Sequence, residues 1–230
     1  VFSMFASNNE SIAIAVNFLS VVSSAFVILF LFWSTTLFLK KISKKNNFEN
    51  DTNILLSSSI GALAFTFSDS FWFNAVETEV YALAMLFLSA TFWCGLRWEK
   101  DFDNKRGDKW LLLICFLIGL SFGVHFMAIL TIPAIGMIYF FKKYKKITIK
   151  NFVLANIISV SILLFIFKLL LPSTLSLFGQ LEVFFVNSMG LPFNSGTIIA
   201  AFLIVFFFYK SLSYTKLKGM VQANTLILCI

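Results

Sequence analysis

The chain has 230 residues, of which 59% are hydrophobic, with 31 Phe, 3 Pro and a formal charge of +7. That composition excludes an ordinary soluble domain and points to an all-α polytopic membrane protein. The apolar runs are continuous rather than alternating, which sets aside a transmembrane β-barrel. Nor does the positive charge mark a nucleic-acid partner, because Lys and Arg gather in short stretches between apolar runs, as topology determinants do.

In chain order, predicted membrane helices cover about 11–39, 53–67, 80–96, 110–122, 124–141, 152–171 and 197–209, with a truncated eighth from 220. Together they form a single transmembrane domain over 1–230. Several are short for a span, as helices packed around a cavity often are. The run 110–141 divides into a hairpin at Gly119 and Gly123, one long tilted helix being the alternative. The chain opens on Val1 without a basic signal region and closes on the short NTLILCI, so it reads as an internal piece of a longer protein. Cys94, Cys115 and Cys229 lie in apolar runs without metal-like spacing and read as small buried hydrophobes.

The bases then set the topology. Lys40, Lys41, Lys44 and Lys45 fall in 40–51, and Arg97, Lys100, Lys105, Arg106 and Lys109 in 97–109. Lys142, Lys143, Lys145, Lys146 and Lys150 fall in 142–151, and Lys210, Lys216 and Lys218 in 210–219. With the hairpin, seventeen of the eighteen bases share one side, which the positive-inside rule makes cytoplasmic. The extracytoplasmic side receives residues 1–10, 68–80, the turn at 123 and 172–196. It carries Glu10, Asp69, Glu77, Glu79 and Glu182, with His125 at the same level. Lys168, four residues before Pro172, lies near the outer end of its helix.

The stretch SDSFWFNAVETEVYALAMLF, residues 68–87, holds three of these acids without a nearby base. If it is one helix, Asn74, Glu77 and Tyr81 share a stripe, and Trp72, Val76, Glu79 and Leu83 share another. Glu77 and Glu79 would then lie about 200° apart, too far round to meet on one small ligand. A solvated helix start with an interfacial Trp72 accounts for the same residues without any ligand. His125 reads equally as a packing residue, and Lys168 as a snorkelling base. The sharper reading has either one meet a lipid phosphate. The segment 172–196, PSTLSLFGQLEVFFVNSMGLPFNSG, is bounded by proline turns. Its incomplete amphipathic face, Leu181, Phe184, Phe185 and Ser188, suits an interfacial helix or a re-entrant connector. No Gly-rich phosphate loop, HExxH, CxxC or nucleophile elbow occurs, and a single His argues against a multi-His metal site; no cofactor is called for.

SDSFWFNAVETEVYAL, GLSFGVHFMAILTIPAI and FFVNSMGLPFNSG, in that order, resemble a bacterial multi-pass membrane family long catalogued only as a domain of unknown function. That family is related to a eukaryotic protein O-mannosyltransferase of plexin-type receptors. The resemblance implies a C-type glycosyltransferase fold in the bacterial inner membrane. It also implies a polyprenyl-phosphate sugar donor, mannose by analogy, and a hydroxyl acceptor on protein or glycan. Chemistry in this class occurs at the extracytoplasmic helix ends, where an acidic residue deprotonates the acceptor as the lipid phosphate leaves. Such enzymes place a key acid in the first external loop, and this chain begins after it, so Glu77 and Glu79 would form a second, supporting motif.

On this basis the expected catalytic residues are Glu77 and Glu79. Asp69, Trp72, Asn74, Tyr81, His125 and Lys168 are the expected substrate contacts, His125 and Lys168 steadying the phosphate. A transporter or lipid-carrier flippase is the alternative, since intramembrane ionisable groups also line transport paths. A structural or assembly protein would leave the acids as ordinary surface residues.

Overall fold

The computed structural model describes residues 9–45, 50–77, 79–104, 107–144, 146–220, 223–224 and 227. Lys105, Arg106, Lys145, Cys229, the side chain of Glu10 and most of the predicted eighth span lie outside the described residues. No strand occurs among the described residues, and the protein is an all-α polytopic membrane protein. Each of the seven predicted runs is helical. Five stretches are individually long and apolar enough to cross a membrane: Ser11–Lys45, Val80–Lys100, Phe126–Lys143, Ile149–Ser188 and Ser195–Leu217.

Contacts cluster the chain into two compact units, Val1–Phe152 and Val153–Ile230. In the first, α1 (Asn9–Lys45) precedes α2 (Asp51–Thr66), α3 (Asp69–Val76), α4 (Val80–Lys100), α5 (Asp108–Ser121) and α6 (Thr131–Lys143). Asn50 starts α2 by accepting the Thr52 and Asn53 amides at 3.1 and 3.3 Å, an ordinary N-cap. Helices α2 and α3 meet at 67° across Phe67 and Ser68. The run 110–141 breaks after Ser121, so it forms two elements rather than one tilted helix; a short 3₁₀ turn, Phe126–Leu130, leads into α6.

The centre of this unit is α4, against which α1, α5 and α6 pack. Its small residues permit this: Ala82, Ala84, Thr91 and Cys94 are nearly or fully buried. A Cβ at Gly95 would already sit 3.2 Å from Ile135 of α6. Lipid tails are as apolar as leucine, so close packing and interhelical polar contacts hold such helices together rather than removal from water. Aromatic pairs add specificity. Phe30 and Trp33 of α1 lie 5.4 and 5.2 Å from Trp93 of α4, and Trp98 stacks on Tyr139 of α6 at 5.8 Å.

Three ion pairs gather the basic loops at one end of this unit: Lys40 with Asp51, Lys41 with Glu99, and Lys142 with Asp103. Lys40 and Lys41, Glu99 and Asp103, and Lys142 therefore lie at one end of this unit.

In the second unit, α7 (Ile149–Phe165) passes through a π-helical turn, Ile166–Leu170, into α8 (Leu171–Val183). A second π turn, Phe184–Ser188, ends this continuous 40-residue stretch, and α9 (Ser195–Leu217) returns along α8. Pro172 was expected to bound a loop, yet the helix runs through it. The widened turn is the reason: the Leu171 amide bonds to Ile166 O, five residues back, immediately before the residue that lacks an N–H.

The α8–α9 connection explains FFVNSMGLPFNSG in physical terms. Asn194 sits in the left-handed region at φ 73°, and Glu182 reaches across to accept the Asn194 amide at 2.6 Å, the Thr197 amide at 2.8 Å and the Thr197 hydroxyl at 3.0 Å. One carboxylate thus satisfies orphan donors at the start of α9. Gly196 lies against the opposing backbone: a Cβ there would fall 2.4 Å from both Glu182 Cα and Leu181 O.

Candidate functional site

The stretch 68–87 does not form one helix. Helix α3 stops at Val76, Glu77 is extended at φ −95°, ψ 145°, and Glu79 is extended at φ −125°, ψ 160° before α4 begins at Val80. The Glu77 amide closes α3 on Phe73 O at 3.2 Å, and the Glu79 amide bonds back to Glu77 O at 2.9 Å. The Asn74–Glu77–Tyr81 and Trp72–Val76–Glu79–Leu83 stripes therefore do not exist as helical faces. With them goes the 200° separation that kept the two acids apart, because it assumed a regular helix.

The break leaves Glu77 half-buried and Glu79 exposed on a short non-helical segment between two helix ends. Asp69 is exposed in the first turn of α3. Asn74 is occupied locally, its Nδ2 donating to Ser70 O at 2.7 Å. Trp72, 54% exposed, stacks on Phe67 with ring centres 6.3 Å apart. It also borders an apolar groove of about 210 Å³ shared with Val21, Ser24 and Ile28 of α1. That groove holds Trp72 with α1 rather than with Asn74.

Tyr81 and His125 do come together. Their ring centres are 5.7 Å apart, which brings the turn after α5 to the start of α4. His125 is extended, its amide donating to Ser121 O at 2.7 Å, and Ser121 is fully buried. Its Nδ1 is buried and has no hydrogen-bond partner among the described residues. A neutral imidazole has one donor and one acceptor nitrogen, so this atom can take or give one further hydrogen bond. Lys168 belongs to the second unit, where it lies exposed on the π turn Ile166–Leu170.

The end of the first unit away from the three ion pairs thus presents two carboxylates that flank the α3–α4 break, an aromatic–imidazole pair, and a buried unpaired nitrogen. Such a set can accept hydrogen bonds from hydroxyl groups, stack on a sugar ring and exchange a proton. Among the described residues no three His, Cys, Asp or Glu side chains gather in a metal-binding arrangement.

Residues 1–148 match the family model described as the protein O-mannosyl-transferase TMEM260 N-terminal domain. The chain belongs to this family. No curated protein and no solved structure matches it. Membership in the O-mannosyl-transferase TMEM260 family supports a glycosyltransferase-like function and, with the apolar helices, an integral membrane protein that handles a sugar donor and acceptor. The matched region includes the 77–79 break, Tyr81 and His125, and ends before Lys168.

Sequence reasoning missed several positions that the fold makes important in this TMEM260-family chain. Glu182 was counted only as an outer acid, yet it organises the start of α9. Gly196 carries the close approach there, and the Asn-Ser-Gly run was its signal. Arg97 was counted as one of many loop bases, but it lies between two tryptophans.

Proposed function

We propose that the protein transfers a sugar, mannose, from a polyprenyl-phosphate donor to an acceptor hydroxyl on protein, at the extracytoplasmic face of a bacterial inner membrane. The family match over residues 1–148 carries this reading. The position of Glu77, Glu79, Tyr81 and His125 at the end of the unit opposite the lysine-rich loops supports it. A C-type glycosyltransferase architecture belongs to the same proposal.

In the proposed reaction the acceptor oxygen attacks the anomeric carbon while the bond from that carbon to the phosphate oxygen breaks. The acceptor proton passes to a carboxylate, and the polyprenyl phosphate leaves with the bonding electron pair. Exposed Glu79 is suited to the acceptor hydroxyl. Half-buried Glu77 is suited to the sugar hydroxyls, which a carboxylate binds through charge-assisted hydrogen bonds. Tyr81 and Trp72 offer aromatic faces to the ring, with Asp69 and Asn74 at the rim. Within this unit His125 is the group that would stabilise charge growing on the departing phosphate.

The test is reconstitution of the full-length protein with polyprenyl-phosphate mannose and a peptide pool, comparing wild type with Glu77→Gln and Glu79→Gln. Loss of a charge-assisted contact to the acceptor is expected to lower transfer by roughly 10- to 100-fold for Glu79→Gln, with a smaller loss for Glu77→Gln. Folded wild-type protein that moves the lipid across vesicles without transferring sugar would establish the flippase reading instead. Unchanged transfer by both variants would remove the site while leaving the function.

A further inference from the structure

Arg97 sits in the last turn of α4, at the end of the bundle where the three ion pairs lie. Its guanidinium carbon is 5.8 Å from the centre of the Trp93 ring and 5.3 Å from that of Trp110. The two indoles meet edge to face at 5.6 Å, so they hold the planar group as a fixed platform. The loop is built to present Trp110. Gly107 packs where a Cβ would meet Asp101 O at 2.7 Å, and Trp110 Nε1 donates to Asp101 Oδ2 at 3.0 Å.

The acids nearest in sequence are already engaged. Glu99 pairs with Lys41, Asp101 accepts from Trp110, and Asp103 pairs with Lys142. Among the described residues Arg97 makes no ion pair, and its Nε is buried without a hydrogen-bond partner. A permanently charged group carrying a buried, unmatched donor is costly, and an oxyanion with two oxygens in its plane would complete it.

We propose that Arg97, clamped by Trp93 and Trp110, binds the phosphate of an anionic membrane lipid. This site is separate from the proposed transfer site and independent of that function. Planar guanidinium and phosphate match in a two-point hydrogen-bonded geometry. A lipid source follows from location: Arg97 lies three residues from the end of a helix long and apolar enough to cross a membrane, with two tryptophans and lysine-rich segments beside it. Those lysines attract anionic headgroups over zwitterionic ones.

The experiment is native mass spectrometry of the full-length protein carrying phosphatidylglycerol or phosphatidylcholine. Tryptophan quenching by brominated forms of each lipid is measured in parallel. Phosphatidylglycerol is expected to be retained and to quench in preference to phosphatidylcholine. Arg97→Gln is expected to weaken retention at least about tenfold, with Arg97→Lys between it and wild type because the charge remains and the fork is lost. Equal retention by wild type and a folded Arg97→Gln overturns the proposal. Should that variant not fold, equal quenching of wild type by the two brominated lipids overturns it instead. Displacement of the lipid by millimolar inorganic phosphate, with full occupancy by phosphate in lipid-free detergent, would assign the site to free phosphate and overturn the lipid.

Discussion

Gly196→Ala is expected to be the most damaging glycine-to-alanine change in the second unit, and its cost follows from distances. The added methyl would stand 2.4 Å from Glu182 Cα and 2.4 Å from Leu181 O. Carbon atoms rest at about 3.5–4.0 Å, so α8 and α9 must part by roughly an ångström or more. The obstacle is backbone, which cannot rotate aside, and this places the cost near the upper end of overpacking, about 3 kcal/mol. Separation would also lengthen the bonds from Asn194 and Thr197 to Glu182. Two other glycines calibrate the argument. Gly190 has φ +66° and open space, so Gly190→Ala should cost about 1–2 kcal/mol from backbone handedness alone. Gly179 is helical with nothing within 4 Å, so Gly179→Ala should be neutral or stabilise by about 0.5–1 kcal/mol. Unfolding midpoints in mixed detergent micelles would rank the three. If Gly196→Ala unfolds with Gly179→Ala rather than well below Gly190→Ala, the close approach of the two helices is not real.

Other consequences are as direct. Gly107→Ala meets backbone at 2.7 Å from Asp101 O, so a cost of about 1–3 kcal/mol should lower the melting midpoint by roughly 3–10 °C; an unchanged fluorescence melt would contradict the loop geometry. Lys41→Ala breaks a pair whose lysine is 62% exposed, and should cost less than about 1 kcal/mol, shrinking further in high salt. Cys94 is 2% exposed on the packed side of α4, so a membrane-permeant maleimide should modify it only after denaturation. Rapid labelling of Cys94 in the folded protein would mean that α4 is not central.

The helices were legible because long apolar runs and basic punctuation need no tertiary information. The break at 77–79 was hidden for the opposite reason. It contains neither Gly nor Pro, and amphipathic spacing continues through it, so periodicity carried the helix across. Pro172 erred in the other direction, since proline normally ends a helix, and only the five-residue hydrogen bond before it shows how the chain continues. The pairing of Tyr81 with His125 joins positions more than forty residues apart and could be anticipated only as a shared level, not as a contact. Arg97 was invisible among loop bases because a cation between two indoles requires α4 and α5 to be placed first.

The stretch from Ile149 to Ser188 has a geometric consequence. At about 1.5 Å per residue, forty helical residues measure about 60 Å, roughly twice the hydrocarbon thickness of a bilayer. Standing upright, it would raise about twenty residues, many of them apolar, beyond the hydrocarbon. A straight rod confined to that slab would lean roughly 60° from the normal, beyond the ordinary range of tilts. The π turn at Ile166–Leu170 lies near the middle of this length, where a widened, less regular helix yields most easily. It is therefore the point at which so long a helix yields most easily, ahead of α8 and the α9 that packs back along it.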